Sequence, residues 1–248
     1  MTRIAAVGDI HVGTDSVGQV AQGLAHVDDR ADVLLLAGDL TRCGTPEEAA
    51  LVAGELAAVT IPVVAVLGNH DFHADSASEV VRVLEGGGIT VLDGTSTTVS
   101  AANGVVGIAG AKGFGGGFAG ACATAFGERA MKAFIGETRA EAARLHDALV
   151  GVASRADRVV ALLHYSPVEE TLRGERLEIY PFLGSHLLAE AIDTAGADLI
   201  LHGHAHRGSE RGVTPGGIRV RNVAQQVIGH AYRVFDLREP AQEDRSVA

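Results

Sequence analysis

Short apolar runs alternate with amphipathic segments along the first third of the chain. Val33-Leu34-Leu35-Leu36-Ala37 and Val63-Val64-Ala65-Val66 are short and uniformly apolar, which predicts buried strands. Between them, Thr45-Pro46-Glu47-Glu48 is typical of a helix start, because Thr caps free amides, Pro fits the first turn and acids favour the helix N-terminus. This alternation of strand and helix predicts an α/β fold.

The same reasoning extends along the chain. Helical spacing predicts helices over residues 16–28, 45–59, 76–85, 137–150 and 185–195, and apolar runs predict strands over 3–7, 159–163, 199–201, 218–223 and 232–237. Residues 89–110 differ, since three short runs are separated by Asp93-Gly94 and Asn103-Gly104, which are pairs typical of hairpin turns. We expect antiparallel strands of a second sheet there. We expect one domain over residues 1–238, followed by a polar tail over 239–248.

Polar residues of a similar kind follow five of the predicted strands. They are Asp9 and His11, Asp39, Asn69 and His70, His164, and His204 and His206. A single Gly-Asp or Gly-His pair is an ordinary turn, and the amide oxygen of Asn is a weak metal ligand by itself. In open α/β sheets, however, ligands bind beyond the carboxyl ends of the strands. The sequence therefore predicts that these side chains meet in one metal-binding cluster.

Composition restricts the classes of protein and of partner. A chain of 248 residues that is 47% hydrophobic can bury one sizeable core. The net charge of −11 argues against extended nucleic-acid binding, which needs clustered cations, but it does not exclude a phosphate substrate at a metal site. Two cysteines, no apolar leader and no run of about 20 apolar residues predict a cytoplasmic protein without membrane contact.

The ordered polar blocks resemble those of the calcineurin-like metallophosphoesterases. The matching blocks are Asp9-x-His11, Gly38-Asp39, Gly68-Asn69-His70-Asp71, His164 and Gly203-His204-x-His206, which span residues 8–206. The resemblance implies a four-layer αββα sandwich, in which two mixed β-sheets are flanked by helices, with a dinuclear metal site at the strand C-terminal ends. It also implies the ligand sets: Asp9, His11 and His206 for one ion, Asn69, His164 and His204 for the other, and Asp39 for both.

The resemblance further implies a reaction. Two divalent cations would be manganese, iron or zinc, which carboxylate and imidazole ligands suit, and a hydroxide that bridges them would attack a phosphoester in line. His70 would donate a proton to the leaving oxygen or bind the phosphate. Protein Ser/Thr phosphatases continue Gly-Asp with Val-Asp-Arg-Gly and Asn-His with Glu. Here Leu40-Thr41-Arg42 and Asp71 stand instead, which favours the bacterial phosphodiesterase branch and a small phosphodiester, nucleotides included.

Other functions and other site residues remain open at this point. A phosphomonoesterase or a short-oligonucleotide nuclease would use the same metals, and a non-catalytic metal-binding scaffold would share the fold. We expect the Gly-rich residues 110–136 to form a flap or cap, with Lys112, Phe114 and Phe118 over the metals. Gly115–Gly120 matches a dinucleotide motif but lacks its strand and helix context. Arg42, Tyr165 and Arg207 are further candidates for substrate contact.

Overall fold

Two β-sheets form the centre of the molecule. The computed structural model describes residues 2–101 and 103–237, so the predicted tail over 239–248 lies outside the described residues. The first sheet contains, from edge to edge, β13 (Arg233–Leu237), β1 (Thr2–Val7), β2 (Val33–Ala37), β3 (Val63–Val66) and β4 (Thr90–Val91). The second contains β11 (Arg211–Val213), β12 (Arg219–Asn222), β10 (Leu199–His202), β9 (Arg158–Leu163), β6 (Gly104–Ala111) and β5 (Thr95–Ala101). Both sheets mix parallel and antiparallel pairs.

Helices cover the outer face of each sheet. The first sheet packs against α1 (Gln19–Leu24), α2 (Val27–Arg30), α3 (Pro46–Leu56) and α4 (Ala77–Gly86). The second packs against α5 (Arg129–Ala153) and α7 (His186–Ala195). The remaining elements are short: the hairpin of β7 (Gly117–Phe118) and β8 (Ala121–Cys122), α6 (Tyr180–Leu183) and α8 (Gln225–Ile228).

The alternation of side chains along each strand creates the layers. Leu34 and Leu36 of β2 face the helices, whereas Leu35 between them belongs to the apolar cluster that joins the two sheets. In β9, Leu162 faces that same cluster and Ala161 faces α5 and α7. Such strands are buried on both faces, which is why β2 is apolar at every position and β9 is apolar after Arg158. The α/β class and the four-layer αββα arrangement are therefore confirmed.

The structure differs from the predicted elements where local pattern was weakest. The run at 89–92 does not form a hairpin, because β4 pairs in parallel with β3 after α4 has crossed over the sheet. The antiparallel hairpin comprises β5 and β6. The helix predicted over 16–28 is divided into α1 and α2, and α5 begins at Arg129 instead of near 137. The predicted cap of α3 is confirmed, since the Thr45 hydroxyl accepts a hydrogen bond from the Glu48 amide at 3.2 Å.

Over the ranges that the structure describes, none of the helices combines the length and the apolar character that are needed to cross a bilayer.

Candidate metal centre

The strand ends of both sheets meet at one edge of the sandwich. β1, β2 and β3 supply Asp9, His11, Asp39, Asn69 and His70, and β9 and β10 supply His164, His204 and His206. One ligand atom from each of Asp9, His11, Asp39 and His206 lies within 4.8 Å of the others, and the same is true of Asp39, His164 and His204. Asp39 belongs to both groups. The Asn69 Oδ1 atom lies 3.0 Å from His164 Nε2, which adds Asn69 to the second group.

Tight turns aim these side chains into the cluster. Asp9, His11, Asp39 and His204 all have left-handed backbone conformations, with φ between 43° and 70°. This conformation is uncommon outside glycine and costs about 1–3 kcal/mol for each residue. Hydrogen bonds between the turns offset part of this strain, because the Asp9 amide donates to Gly38 O at 2.9 Å and the His11 amide to Asp39 O at 3.0 Å. Strain of this kind is concentrated at functional sites.

Two glycines allow the ligand turns to approach each other closely. A Cβ atom on Gly68 would lie 2.1 Å from Asp39 Oδ1, and one on Gly203 would lie 2.3 Å from Asp9 Oδ2. Both distances are far below van der Waals contact. Any side chain at either position would therefore displace an acidic ligand.

The His164 ring tests whether the cluster suits a cation. His164 is fully buried, and burial lowers its pKa to about 3, so the ring is neutral at neutral pH and carries one N–H. Its Nδ1–H donates to the Ala37 carbonyl at 2.9 Å. The Nε2 lone pair then faces two acceptor oxygens, Asn69 Oδ1 at 3.0 Å and Asp39 Oδ1 at 3.3 Å. Three converging electron pairs without a proton between them fit a metal ion.

The candidate ligands around Asp9 and His11 also combine buried electron-pair donors with shifted pKa values. His11 Nε2 is buried without a hydrogen-bond partner and lies 3.8 Å from Asp39 Oδ2. Burial lowers the pKa of His11 to about 4 and that of His204 to about 3, and it raises the pKa of Asp9 to about 6. His206 differs, because its hydrogen bond to Asp9 raises its pKa. At neutral pH the site thus combines neutral imidazoles at His11, His164 and His204 with carboxylate oxygens. This donor set suits a divalent transition metal.

His70 stands beside the cluster and is less buried. Its side chain is 41% exposed, and its Nε2 atom lies 3.9 Å from Asp39 Oδ2. The Nδ1–H group donates to the Arg42 carbonyl at 2.8 Å, and the His70 amide donates to Asp39 Oδ1 at 2.8 Å. These two bonds fix the ring with Nε2 towards Asp39, where it can accept or donate a proton.

The candidate substrate contacts divide into two groups. Tyr165 lies at the site, because its ring centroid is 4.4 Å from that of His204. The Lys112 ammonium lies 4.9 Å from the centre of the Phe114 ring and 5.3 Å from that of Tyr165, so these three side chains are neighbours. The Arg42 guanidinium is already paired with Asp15 at 2.7 Å, and its charge is among the causes that lower the pKa of His11.

Arg207 makes its hydrogen bond through the backbone, not through its guanidinium. Its amide donates to Glu175 Oε1 at 2.7 Å, and its side chain is exposed.

The Gly-rich segment packs more tightly than a flap would. The Thr138 hydroxyl donates to Gly115 O at 2.6 Å, and the amides of Gly116 and Gly117 donate to Pro181 O and Gly184 O. Phe118 is 5% exposed and packs with Leu172, Tyr180, Leu183 and Ala205. The expectation that Phe118 covers the metals is therefore wrong, because its ring is stabilised by burial in this separate apolar cluster.

Sequence reasoning missed the residue that joins two ligand turns. Asp71 is fully buried, and its carboxylate accepts hydrogen bonds from the amides of Leu40, Thr41 and Gly68 at 2.8–3.2 Å and from the Thr41 hydroxyl at 2.6 Å. The available signal was an acid directly after Asn69-His70 in a turn between apolar segments. Such a carboxylate must satisfy donors that the turns leave free.

His202 is a second buried residue that hydrogen bonds hold beside the cluster. Its Nε2 atom lies 2.8 Å from the Thr171 hydroxyl and its Nδ1 atom 2.8 Å from Gly203 O, and the ring is fully buried. These contacts hold the start of the turn that carries His204 and His206.

Comparison with known proteins identifies the family. The family model described as calcineurin-like phosphoesterase matches residues 2–208, a range that contains all of the candidate ligands. The chain belongs to the calcineurin-like phosphoesterases. Members of this family hydrolyse phosphoesters at a metal centre, which makes the chain a metal-dependent phosphoester hydrolase.

Solved structures support the fold of this calcineurin-like phosphoesterase. Phosphopantetheinyl hydrolase from Mycobacterium tuberculosis is 16% identical, with a TM-score of 0.63 over 96% of this chain and 97% of the other. The protein TT1561 of Thermus thermophilus is 19% identical, with a TM-score of 0.58 over 96% and 99%. A putative 5'-nucleotidase from Staphylococcus aureus is 17% identical, with a TM-score of 0.55 over 89% and 48%. None of the curated protein sequences matches significantly.

Proposed function

We propose that this calcineurin-like phosphoesterase hydrolyses a small phosphodiester at a dinuclear metal centre. The observation that carries the proposal is the orientation of the two Asp39 oxygens. Oδ1 lies 3.3 Å from His164 Nε2 in one ligand group, and Oδ2 lies 3.8 Å from His11 Nε2 in the other. One carboxylate would thereby be shared by two ions.

The remaining ligands divide between the same two groups. Asp9, His11 and His206 would hold one ion, and Asn69, His164 and His204 the other, with manganese, iron or zinc as the candidate metals. When bound, such a pair of cations supplies a nucleophilic water of lowered pKa and neutralises charge on the phosphate. The buried carboxylates and the imidazoles would hold these cations in a fixed position.

His70 is proposed as the group that moves a proton. The Arg42 carbonyl occupies Nδ1–H, so Nε2 is the nitrogen that can carry a second proton. Asp39 Oδ2 lies 3.9 Å from that nitrogen. His70 can then give the Nε2 proton to the leaving oxygen of the substrate.

A diester is favoured over a monoester because the neighbouring cations are already paired. The Arg42 guanidinium is bound to Asp15, and the Lys112 ammonium donates to Gly113 O and lies near Glu141. The second negative charge of a phosphomonoester would gain little from either group. A diester also carries two organic arms, and the Tyr165 and Phe114 rings offer apolar surface next to the ligands.

Turnover of two chromogenic esters tests the proposal. Metal-stripped protein is supplied with manganese, iron or zinc, and hydrolysis of bis-p-nitrophenyl phosphate is compared with that of p-nitrophenyl phosphate. We expect metal-restored activity with the diester preferred, and loss of that activity in Asp39→Asn. A preference for the monoester would instead support a phosphatase, and bound metal without turnover would support the scaffold. Cyclic nucleotides and short oligonucleotides follow as natural candidates.

We also propose that the enzyme acts in the cytoplasm. Cys43 and Cys122 are both free and exposed, which a reducing compartment favours.

A further inference from the structure

An apolar groove lies between α4 and the end of the first sheet. Its volume is about 240 Å³. The lining residues are Leu67, Phe72, Ala77, Ser78, Val81, Val91, Leu92, Asp93 and Lys112. Six of these carry purely hydrocarbon side chains, and Phe72 is 40% exposed although it is a large aromatic residue. An exposed aromatic ring at the edge of a concave apolar surface is typical of ligand sites.

The groove borders the turn that carries the candidate catalytic group. Phe72 belongs to the same 3₁₀ turn as His70, which spans His70–Phe72. Leu67 precedes the Gly68-Asn69 ligand turn on the same strand end. On the other side, the Lys112 carbonyl accepts the amides of His164 and Tyr165 at 3.1 and 3.0 Å. Three walls of the groove are therefore parts of the loops that hold the metal centre.

The charges around the groove favour a neutral occupant. The Lys112 ammonium lies 5.6 Å from the centre of the Phe72 ring, so it stands at the boundary between the groove and the site. Its electrostatic neighbours are the carboxylates of Glu141, Glu137 and Asp93 and the guanidinium of Arg144, which pairs with Glu141 and Glu137. Among the lining residues only Asp93 and Lys112 carry charge, and their charges are opposite, so the groove offers no excess positive charge to a second phosphate or a carboxylate. The occupant must be neutral and largely apolar.

We propose that this groove binds the leaving alcohol of the substrate, and that this alcohol is neutral and largely apolar. The inference rests on the proposed function, in which His70 protonates the leaving oxygen. Leu67 and Phe72 flank the ligand turn that carries His70, and Lys112 stands between Phe72 and Tyr165, so we assign the groove to the arm that departs on the His70 side. The other organic arm stays on the side of Tyr165 and His204.

Two series of diesters distinguish the leaving arm from the retained arm. In the first, methyl phosphate is esterified to phenol, 4-ethylphenol or 4-butylphenol, whose acidities are nearly equal, so that only the size of the leaving group changes. In the second, phenol is always the leaving group, and the retained alkyl arm grows from methyl to butyl. Burial of each methylene corresponds to about a fourfold gain when it is complete. We expect kcat/KM to rise about tenfold or more from phenol to 4-butylphenol in the first series, and to change little in the second.

A groove-filling variant with a matched control connects that gain to the groove. Ser78→Phe places a ring in the groove from an exposed position of α4, and Arg82→Phe places the same ring on an exposed position of α4 outside it. The ratio of kcat/KM for the 4-butylphenyl and phenyl esters should fall towards one in Ser78→Phe and remain at the wild-type value in Arg82→Phe. Melting temperature and metal content verify that both variants fold.

Binding of the product alcohol separates the failure of this inference from failure of the proposed function. Saturation-transfer NMR with 4-butylphenol and the metal-loaded protein should show binding that Ser78→Phe weakens and Arg82→Phe does not. Such binding without hydrolysis of any diester would keep the groove as an alcohol site and refute the proposed reaction. Equal increases in kcat/KM in the two ester series would overturn the inference. So would a protein that hydrolyses diesters normally but does not bind 4-butylphenol.

Discussion

At the scale of single residues, burial sets the charge of most groups in this site more strongly than neighbouring groups do. His206 is the exception, because its hydrogen bond to Asp9 is the larger cause and raises its pKa. Desolvation is the largest cause of the lowered pKa of His164, His204 and His11 and of the raised pKa of Asp9. A buried ring that cannot hold a second proton keeps its electron pair free for a cation. The residues that sequence pattern identified as ligands thus acquire their chemistry from their surroundings.

Because burial keeps these histidines neutral, the metal-free protein should lose stability in acid. His202 allows the contribution of one such histidine to be measured. Burial lowers the pKa of His202 from 6.5 to about 4. Between these values the unfolded chain binds a proton that the folded chain does not, so stability falls as pH falls from 6.5 to 4. In His202→Gln we expect the slope of unfolding free energy against pH to decrease by about one proton, or about 1.4 kcal/mol per pH unit.

Urea unfolding of metal-stripped protein between pH 4.5 and 7 measures this slope. Buried acids such as Asp9 and Asp71, whose pKa values are raised to about 6, change this slope with the opposite sign. Their contribution is the same in wild type and in His202→Gln, so it cancels in the comparison. Identical slopes in wild type and variant would contradict the assignment of a neutral, buried His202.

Replacement of His70 tests its part in proton transfer. In His70→Asn we expect kcat to fall by about 10²–10⁴, because the proton donor is lost, and to fall most for alkyl leaving groups that need protonation. Steady-state kinetics on p-nitrophenyl and alkyl diesters gives both values. His73→Asn is the matched control, since its ring centroid lies 6.4 Å from that of His70. Full turnover of all substrates by His70→Asn would refute the role.

At the scale of elements, strand ends carry the proposed ligands, and hydrogen bonds between turns hold these residues in place. Asp71 is the main connection, because its carboxylate binds amides of the turn after β2 and of the turn after β3. Burial raises its pKa to about 6, yet all four donors favour the ionised form. The turn after β2 holds Asp39 in a left-handed conformation, and these bonds offset part of the free-energy cost of that conformation.

Asp71→Asn should therefore damage both turns together. An Asn side chain has one acceptor oxygen, so its NH₂ group would face backbone donors. We expect about 2–4 kcal/mol lower stability from the lost charge-assisted bonds, and weaker metal binding. Denaturant unfolding and calorimetric titration with manganese measure the two effects. Asp75→Asn, at an exposed left-handed position that Asn tolerates, should change neither quantity.

Helix boundaries depend on contacts between elements. The early start of α5 places Phe134 5.1 Å from Phe114 and 6.4 Å from Phe182, measured between ring centroids. Thr138 of the same helix binds the Gly115 carbonyl. The periodicity of residues 129–136 alone is too weak to predict these helical turns, because partners from other segments stabilise them.

At the scale of the whole molecule, the cluster joins the two sheets. Asp9, Asp39 and Asn69 follow strands of the first sheet, whereas His164 and His206 follow strands of the second. A cation that binds both groups would oppose separation of the sheets. Metal binding should therefore raise the free energy of unfolding of the whole protein. A ligand that binds only the folded state adds about 2.7 kcal/mol to that free energy at 100 times its Kd.

Saturating manganese should raise the melting temperature of metal-stripped protein by about 5–10 °C for a chain of this size. In Asp39→Asn, which lacks the carboxylate shared by both groups, the increase should be much smaller. Differential scanning calorimetry with and without metal measures both. An equal increase in wild type and variant would show that the metal stabilises the fold elsewhere.

The sequence by itself determined the α/β class, the buried strands and the candidate ligands at their ends, because each depends on apolar runs and turn residues a few positions apart. Only the tertiary structure decided the partner of β4, the pairing of Arg42 with Asp15, the burial of Phe118 and the role of Asp71. His206 and Asp9 form a hydrogen bond although 197 positions separate them. Contacts of that range leave no trace in local periodicity, since they arise when the two sheets pack and bury their shared edge.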